Sequence, residues 1–133
     1  MVHFDHEKLN VYQAAIKFVA WADELIQSVT RSVAAKDQLD RASTSVPLNI
    51  AEGNGKFSIK DRCRFLSIAY GSALECAACL DVLVAKNAAT LEGVQPGKDM
   101  LKDIVSMLVG LMSSLNNRVA EDGPEYVVGG EYE

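Results

Sequence analysis

Several residue types are scarce in this 133-residue chain, among them two on which many enzymes depend, histidine and cysteine. It contains two histidines, three cysteines and three prolines, and aromatic residues make up 7%. Both histidines, His3 and His6, precede the first predicted helix, so the Glu-x-x-His motif of di-metal helical bundles cannot be built. No serine or cysteine has a histidine partner on a helix for acyl transfer. We therefore expect a protein that is not an enzyme and needs no cofactor or metal.

The three cysteines are too few and too close together for a disulfide framework. Cys63, Cys76 and Cys79 fall in a segment that is predicted to be one helix. Cys76 and Cys79 share one side of that helix, so metal binding is one interpretation. Because a second pair of ligands is missing, buried small apolar side chains are the favoured interpretation.

Long apolar runs are also missing. No run reaches the ~20 residues that span a bilayer. The first ten residues, MVHFDHEKLN, do not have the basic and then apolar layout of a signal peptide. The sequence therefore predicts a cytoplasmic protein that is not attached to a membrane.

Charge is unevenly distributed along the chain. The net charge is −5, but residues 121–133 hold five of the 18 acids and no base, so residues 1–120 are formally neutral. Between Arg31 and Arg64, seven bases face four acids. This local excess permits a surface that contacts phosphates, and an ordinary solvated surface is the alternative. The candidate nucleic-acid contacts are Arg41, Lys56, Lys60, Arg62 and Arg64.

Hydrophobic residues recur at three- and four-residue steps in four segments, which predicts four helices. Residues of this class make up 49% of the chain, enough for one well-filled core. We expect an all-α, antiparallel up-and-down four-helix bundle over residues 1–120, followed by a flexible acidic tail over residues 121–133. The expected helices span about residues 8–30, 36–53, 58–89 and 96–118, the last beginning at Pro96.

Proline, glycine and serine residues predict how the second helix ends and the third begins. Pro47 is expected to kink the second helix or to start a new turn. Gly53 and Gly55 are expected to end it in the left-handed backbone conformation. Ser58, three residues before Asp61, is the expected cap of the third helix.

The first helix has an apolar stripe that is wider than one bundle core requires. Phe18, Trp21 and Leu25 lie beside the stripe that should face the core. We interpret them as a candidate oligomer interface, the alternative being a broad core face.

Polar residues at helical spacing occupy positions where a bundle is usually apolar. If the second and third helices are antiparallel neighbours, these residues come close together. They then form either a hydrogen-bonded network that fixes helix register or a site for a ligand or partner. They are Ser45, Asn49 and Glu52 around Pro47, and Gly71, Ser72 and Glu75 on the third helix.

Two of these motifs carry a family resemblance. Residues 45–53 read Ser-x-Pro-x-Asn-Ile-Ala-Glu-Gly, and residues 69–75 read Ala-x-Gly-Ser-x-x-Glu. With the opening Leu9-x-Val11-Tyr12-Gln13, the chain resembles the four-helix-bundle family first described from intervening sequences in large-subunit ribosomal RNA genes, over roughly residues 4–118.

The resemblance implies a ring-like homo-oligomer, a pentamer, with no established catalytic role. It also implies kinship with the accessory protein of diversity-generating retroelements, which binds a reverse transcriptase and nucleic acid through a basic outer surface. Two function classes follow: an accessory protein that binds nucleic acid or a ribonucleoprotein, or a protein–protein scaffold that binds no nucleic acid.

Overall fold

Four α-helices joined by short turns form an antiparallel bundle. The computed structural model describes residues 3–122, with the side chains of residues 3–118. Each helix packs against its neighbours in sequence, and the first also packs against the last, which closes the bundle. No strand occurs within residues 3–122, so the prediction of an all-α bundle is confirmed. A short 3-10 helix (Asp5–Lys8) precedes α1 (Asn10–Ser28), α2 (Ala34–Asn54), α3 (Ile59–Ala85) and α4 (Leu91–Asp122). Most of the expected acidic tail, residues 123–133, lies outside the described residues.

The core is filled by one buried face from each helix. Leu39, Leu80 and Leu108 are among the side chains that are completely buried. Burying a side chain of this size stabilises the fold by about 1.5–3 kcal/mol relative to leaving it in water. The core is therefore the main source of the bundle's stability.

The three cysteines belong to this core. Cys63, Cys76 and Cys79 are buried and free, which confirms their interpretation as small apolar side chains. Burial, with smaller effects from Cys79 and Glu75, raises the pKa of Cys76 to about 12. A thiol with so high a pKa stays protonated near neutral pH and is a poor nucleophile.

The predicted helix ends are only partly correct. Ser58 caps α3 as expected, because its Oγ accepts a hydrogen bond from the Asp61 backbone N at 3.1 Å. The left-handed ending of α2 is wrong: Gly55 has φ −82° and ψ −7°, and Gly53 lies inside the helix. Among the described residues other than glycine, a positive φ occurs at Asn87, after α3, where φ is 59°.

The two prolines within helices did not set boundaries. α2 continues through the buried Pro47 as one helix, so no new helix begins there, and the expected kink stays a prediction. α4 begins at Leu91 and not at Pro96. The physical reason is a cap earlier in the chain. Thr90 Oγ1 accepts a hydrogen bond from the Gly93 backbone N at 2.9 Å, and this N–H of the first turn has no partner inside the helix.

The expected oligomer interface on α1 lies largely inside the chain. Phe18 is completely buried, so it has no surface for a second subunit and that prediction is wrong for Phe18. Trp21 and Leu25 are half-buried against the same core. The Trp21 ring lies on α4 at Gly97, where a Cβ atom would be 2.1 Å from the ring. The broad core face, the alternative interpretation, accounts for Phe18.

The long helix α3 is apolar over much of its length. It is long and apolar enough to cross a membrane by length and composition, and 33% of its most apolar window is buried inside the bundle. The core helix of a soluble protein passes the same test. α3 packs against both α2 and α4, which explains one apolar face. Its opposite face carries further exposed apolar side chains.

Candidate nucleic-acid interface

A close approach between two helices organises the end of the bundle where α2 turns into α3. A Cβ atom at Gly53 would lie 2.9 Å from the Phe65 Cβ and 3.2 Å from the Arg62 carbonyl O. Because atoms do not pack at the shorter of these distances, only glycine fits there. The missing side chain at Gly53 therefore allows Phe65 to sit directly against α2.

Phe65 in turn holds two cations. Lys56 Nζ lies 5.0 Å from the centroid of its ring, and Arg64 Cζ lies 5.3 Å from the same centroid. Each such cation–π contact contributes about 0.5–1 kcal/mol at an exposed site. Arg62 Nε also donates a 2.8 Å hydrogen bond to the Lys56 carbonyl O, which ties the turn to α3.

We call the bases that meet here the basic turn: Lys56, Lys60, Arg62 and Arg64. Lys60 and Arg64 are exposed, while Lys56 and Arg62 are half-buried. Four of the five predicted contact residues thus lie on one turn and the start of one helix. The fifth, Arg41, is exposed on α2 about 18 Å from Gly53 along the helix axis, at 1.5 Å per residue, and does not join them.

Three acids lie near the basic turn. Asp5 accepts a 3.0 Å hydrogen bond from Asn54 Nδ2 at the end of α2. Asp61 pairs with Arg64 at 3.5 Å, and both side chains are exposed. Glu52 is exposed at the end of α2. An exposed ion pair is worth only about 0–1 kcal/mol, so Arg64 is readily transferred to a phosphate. The basic turn therefore has four bases near these three acids.

Phe57 is a feature of the site that the sequence analysis missed. It stands in the turn between Lys56 and Ser58, and its side chain is fully exposed. Periodicity cannot detect it, since it belongs to no helix. Its place in a basic connection between two helices was the only signal available.

A cleft extends the basic turn toward the end of α4. It has a volume of about 200 Å³, and Arg62 and Arg118 line it together with leucines from α3, from α4 and from the residue that precedes α1. The leucines are Leu9, Leu66, Leu111 and Leu115. Arg118, which the sequence analysis did not select, therefore adds a cation at the same end of the bundle.

The predicted polar cluster between α2 and α3 forms in part. Ser45 Oγ and Ser72 Oγ lie 2.8 Å apart, and Asn49 Nδ2 donates to Ser45 Oγ at 2.9 Å and to Ser45 carbonyl O at 2.8 Å. All three side chains are half-buried. This geometry favours the interpretation of a network that fixes helix register.

The remaining members of the predicted cluster point elsewhere. Glu52 and Glu75 are exposed, and no hydrogen bond or ion pair joins them to another described side chain. A Cβ atom at Gly71 would meet nothing within 4 Å. Pro47 is buried. The expectation that the two carboxylates join the network is wrong, because both lie on outer helix faces.

The hydrogen-bond network predicts different outcomes for two leucine substitutions. Asn49→Leu removes both bonds from Nδ2 and leaves Ser45 with fewer partners, so we expect unfolding in urea to show a destabilisation of about 0.5–1.5 kcal/mol. Glu75→Leu, on the facing helix, is the control and should leave stability unchanged within about 0.5 kcal/mol. Equal stability of the two variants would show that the two Asn49 bonds contribute nothing measurable to stability.

Comparison with known proteins agrees with this architecture. Residues 7–110 match the family model described as 23S rRNA-intervening sequence protein. A crystal structure of a protein of unknown function from the S23 ribosomal protein family of Bacteroides thetaiotaomicron VPI-5482 has the same fold, with a TM-score of 0.73 over 77% of this chain and 97% of that chain, at 22% sequence identity. No curated protein matches this chain. Since the family model covers most of the chain, this protein belongs to the 23S rRNA-intervening sequence protein family.

Proposed function

We propose that this protein is a non-enzymatic, homo-oligomeric accessory protein of the cytoplasm that binds nucleic acid or a ribonucleoprotein through its basic turn. The observation that carries the proposal is the placement of Lys56 and Arg64 over the Phe65 ring, with Arg62 bonded to the Lys56 carbonyl O. Lysine and arginine contacts to phosphates supply most of the affinity in binding that is independent of sequence. Cations already held in place lose less conformational freedom when they bind.

The proposal includes self-association because one chain offers few phosphate contacts. A homo-oligomer repeats the basic turn and raises affinity by avidity without a new type of contact. The family resemblance implies five subunits. We assign the subunit contact to the outer face of α3, where apolar side chains face solvent beside small residues. The apolar and small residues of that face are Ile68, Gly71, Leu74, Ala78 and Val82, and Glu75 is exposed among them.

Light scattering tests the oligomer and its interface together. The parent should have a mass close to five times 14.4 kDa. Leu74→Lys should reduce the mass, because it places a charge in an apolar contact. Ile16→Lys is the control, since Ile16 on α1 is 44% exposed and Leu74 is 47% exposed. A monomeric parent would refute self-association, and dissociation by the Ile16 variant alone would refute this interface.

A pair of charge reversals tests binding at the basic turn. Arg64→Glu and Arg41→Glu make the same change in charge at two exposed positions. We expect Arg64→Glu to weaken binding and to lower the slope of log affinity against log salt by about 1 for each phosphate that the variant no longer binds. Arg41→Glu should have little effect. Fluorescence anisotropy with a labelled oligonucleotide at several salt concentrations measures both quantities.

The same titrations are run with residues 121–133 deleted, which removes five acids and no base. Their removal lowers electrostatic repulsion, so we expect tighter binding. If the deleted form binds no oligonucleotide at low salt, the nucleic-acid proposal fails.

A protein–protein scaffold is the second candidate. Exposed apolar side chains outside the α3 face favour it, among them Leu48 on α2 and Val109 on α4. Salt separates the two candidates. Phosphate contacts weaken steeply as salt rises, whereas apolar contacts do not.

A further inference from the structure

Phe57 contributes nothing to the core, yet hydrogen bonds hold the residues on both sides of it. It is the most exposed of the large apolar side chains in the described part of the chain. Leaving such a ring in water forgoes the roughly 1.5–3 kcal/mol that its burial would contribute. Stability of the single chain therefore gives no reason for a phenylalanine at this position.

The backbone on both sides of Phe57 is held by hydrogen bonds. The Lys56 backbone N donates to the Gly53 carbonyl O at 3.1 Å, and the Lys56 carbonyl O accepts from Arg62 Nε at 2.8 Å. On the other side, Ser58 caps α3 through its 3.1 Å bond from Asp61 N. The ring is thus presented from a fixed turn, which limits the entropy that is lost when a ligand covers it.

Cations lie next to the segment that presents the ring. Lys56 is its immediate neighbour, and Arg64 lies over the same Phe65 ring as Lys56. Proteins that bind single strands combine such cations, which contact phosphates, with aromatic rings on which bases stack. In a duplex, the faces of internal bases are already stacked on one another. Unpaired nucleotides offer a free face to a protruding ring without the cost of unstacking a duplex.

We propose that the basic turn binds unpaired nucleotides, with Phe57 stacked on a base and Lys56 and Arg64 on the neighbouring phosphates. The proposal rests on the proposed function and names its ligand class: single-stranded or looped RNA or DNA rather than duplex. Stacking accepts any base, since every base has a π face. Binding is therefore independent of sequence.

Equilibrium binding to two probes tests this proposal with the full-length protein. The probes are a labelled 15-nucleotide dT strand and a labelled 15-base-pair duplex at one low salt concentration. The parent should prefer the single strand. Phe57→Ser should weaken single-strand binding about fivefold or more, which corresponds to the ~1 kcal/mol lower limit for stacking on one base. Its binding to the duplex should not change.

Two further variants serve as controls. Phe57→Tyr keeps an aromatic ring and should keep the affinity for the single strand. Leu91→Ser removes an exposed apolar side chain at the start of α4, outside the basic turn, and should behave like the parent. Because the Phe57 ring is exposed, Phe57→Ser should also leave the thermal melting temperature unchanged.

The outcomes separate this inference from the proposed function. Equal binding of single strand and duplex, with no effect of Phe57→Ser, overturns the stacking inference and leaves nucleic-acid binding in place. An equal reduction of affinity for both probes in Phe57→Ser also overturns it, because the ring would then maintain the conformation of the turn and would not stack on a base. No binding of either probe by the parent overturns both proposals. Binding to phosphatidylserine vesicles is measured for the same variants. If only Phe57→Ser abolishes that binding, and the parent shows no preference for single strands, the turn binds a lipid surface instead.

Discussion

The geometry of the basic turn depends on the absence of a side chain at Gly53. Because α2 has no Cβ there, Phe65 packs directly on the α2 backbone. Phe65 then holds Lys56 and Arg64 over its ring, and the bond from Arg62 to the Lys56 carbonyl closes the connection between the helices. The position of Phe65 against α2 thus places both cations at the turn. A close approach of two helices is thereby converted into a positively charged surface.

A second contact fixes how α2 and α3 slide relative to each other. Ser45 and Ser72 meet about 12 Å from Gly53 along α2, at 1.5 Å per residue, and Asn49 reinforces the contact. A shift of one residue would separate the serines and would also move Phe65 away from Gly53. The two contacts together therefore specify a single register. The polar cluster of Ser45, Asn49 and Ser72 lies between α2 and α3, and the basic turn faces the solvent at one end of the same helix pair.

Sequence patterns were sufficient wherever the fold depends on local chemistry or on helical period. The four helices, the Ser58 cap and the burial of the cysteines all follow from short-range signals. Patterns failed where a residue acts through a distant neighbour. Gly53 resembled a helix terminator, but its role comes from Phe65, twelve residues further along the chain. Phe18 resembled an interface residue because the width of a stripe does not show which part of it the other helices cover.

The start of α4 was also predicted wrongly. Pro96 was expected to begin the helix, but the threonine cap at Thr90 begins it earlier in the chain. Within the candidate site, net charge located the bases, but only the folded turn separates Arg41 from the others. Phe57 could not be identified from the sequence, because the apolar residues of a connecting turn have no regular spacing.

The most direct test of this account is the affinity for a single-stranded oligonucleotide when a methyl group is added at Gly53. Gly53→Ala is compared with Gly110→Ala, where a Cβ atom would meet nothing within 4 Å. Circular dichroism confirms that both variants keep their helices. The account predicts that Gly53→Ala loses affinity, because Phe65 and its cations are displaced, while Gly110→Ala binds like the parent. Parental affinity in a folded Gly53→Ala protein would contradict it.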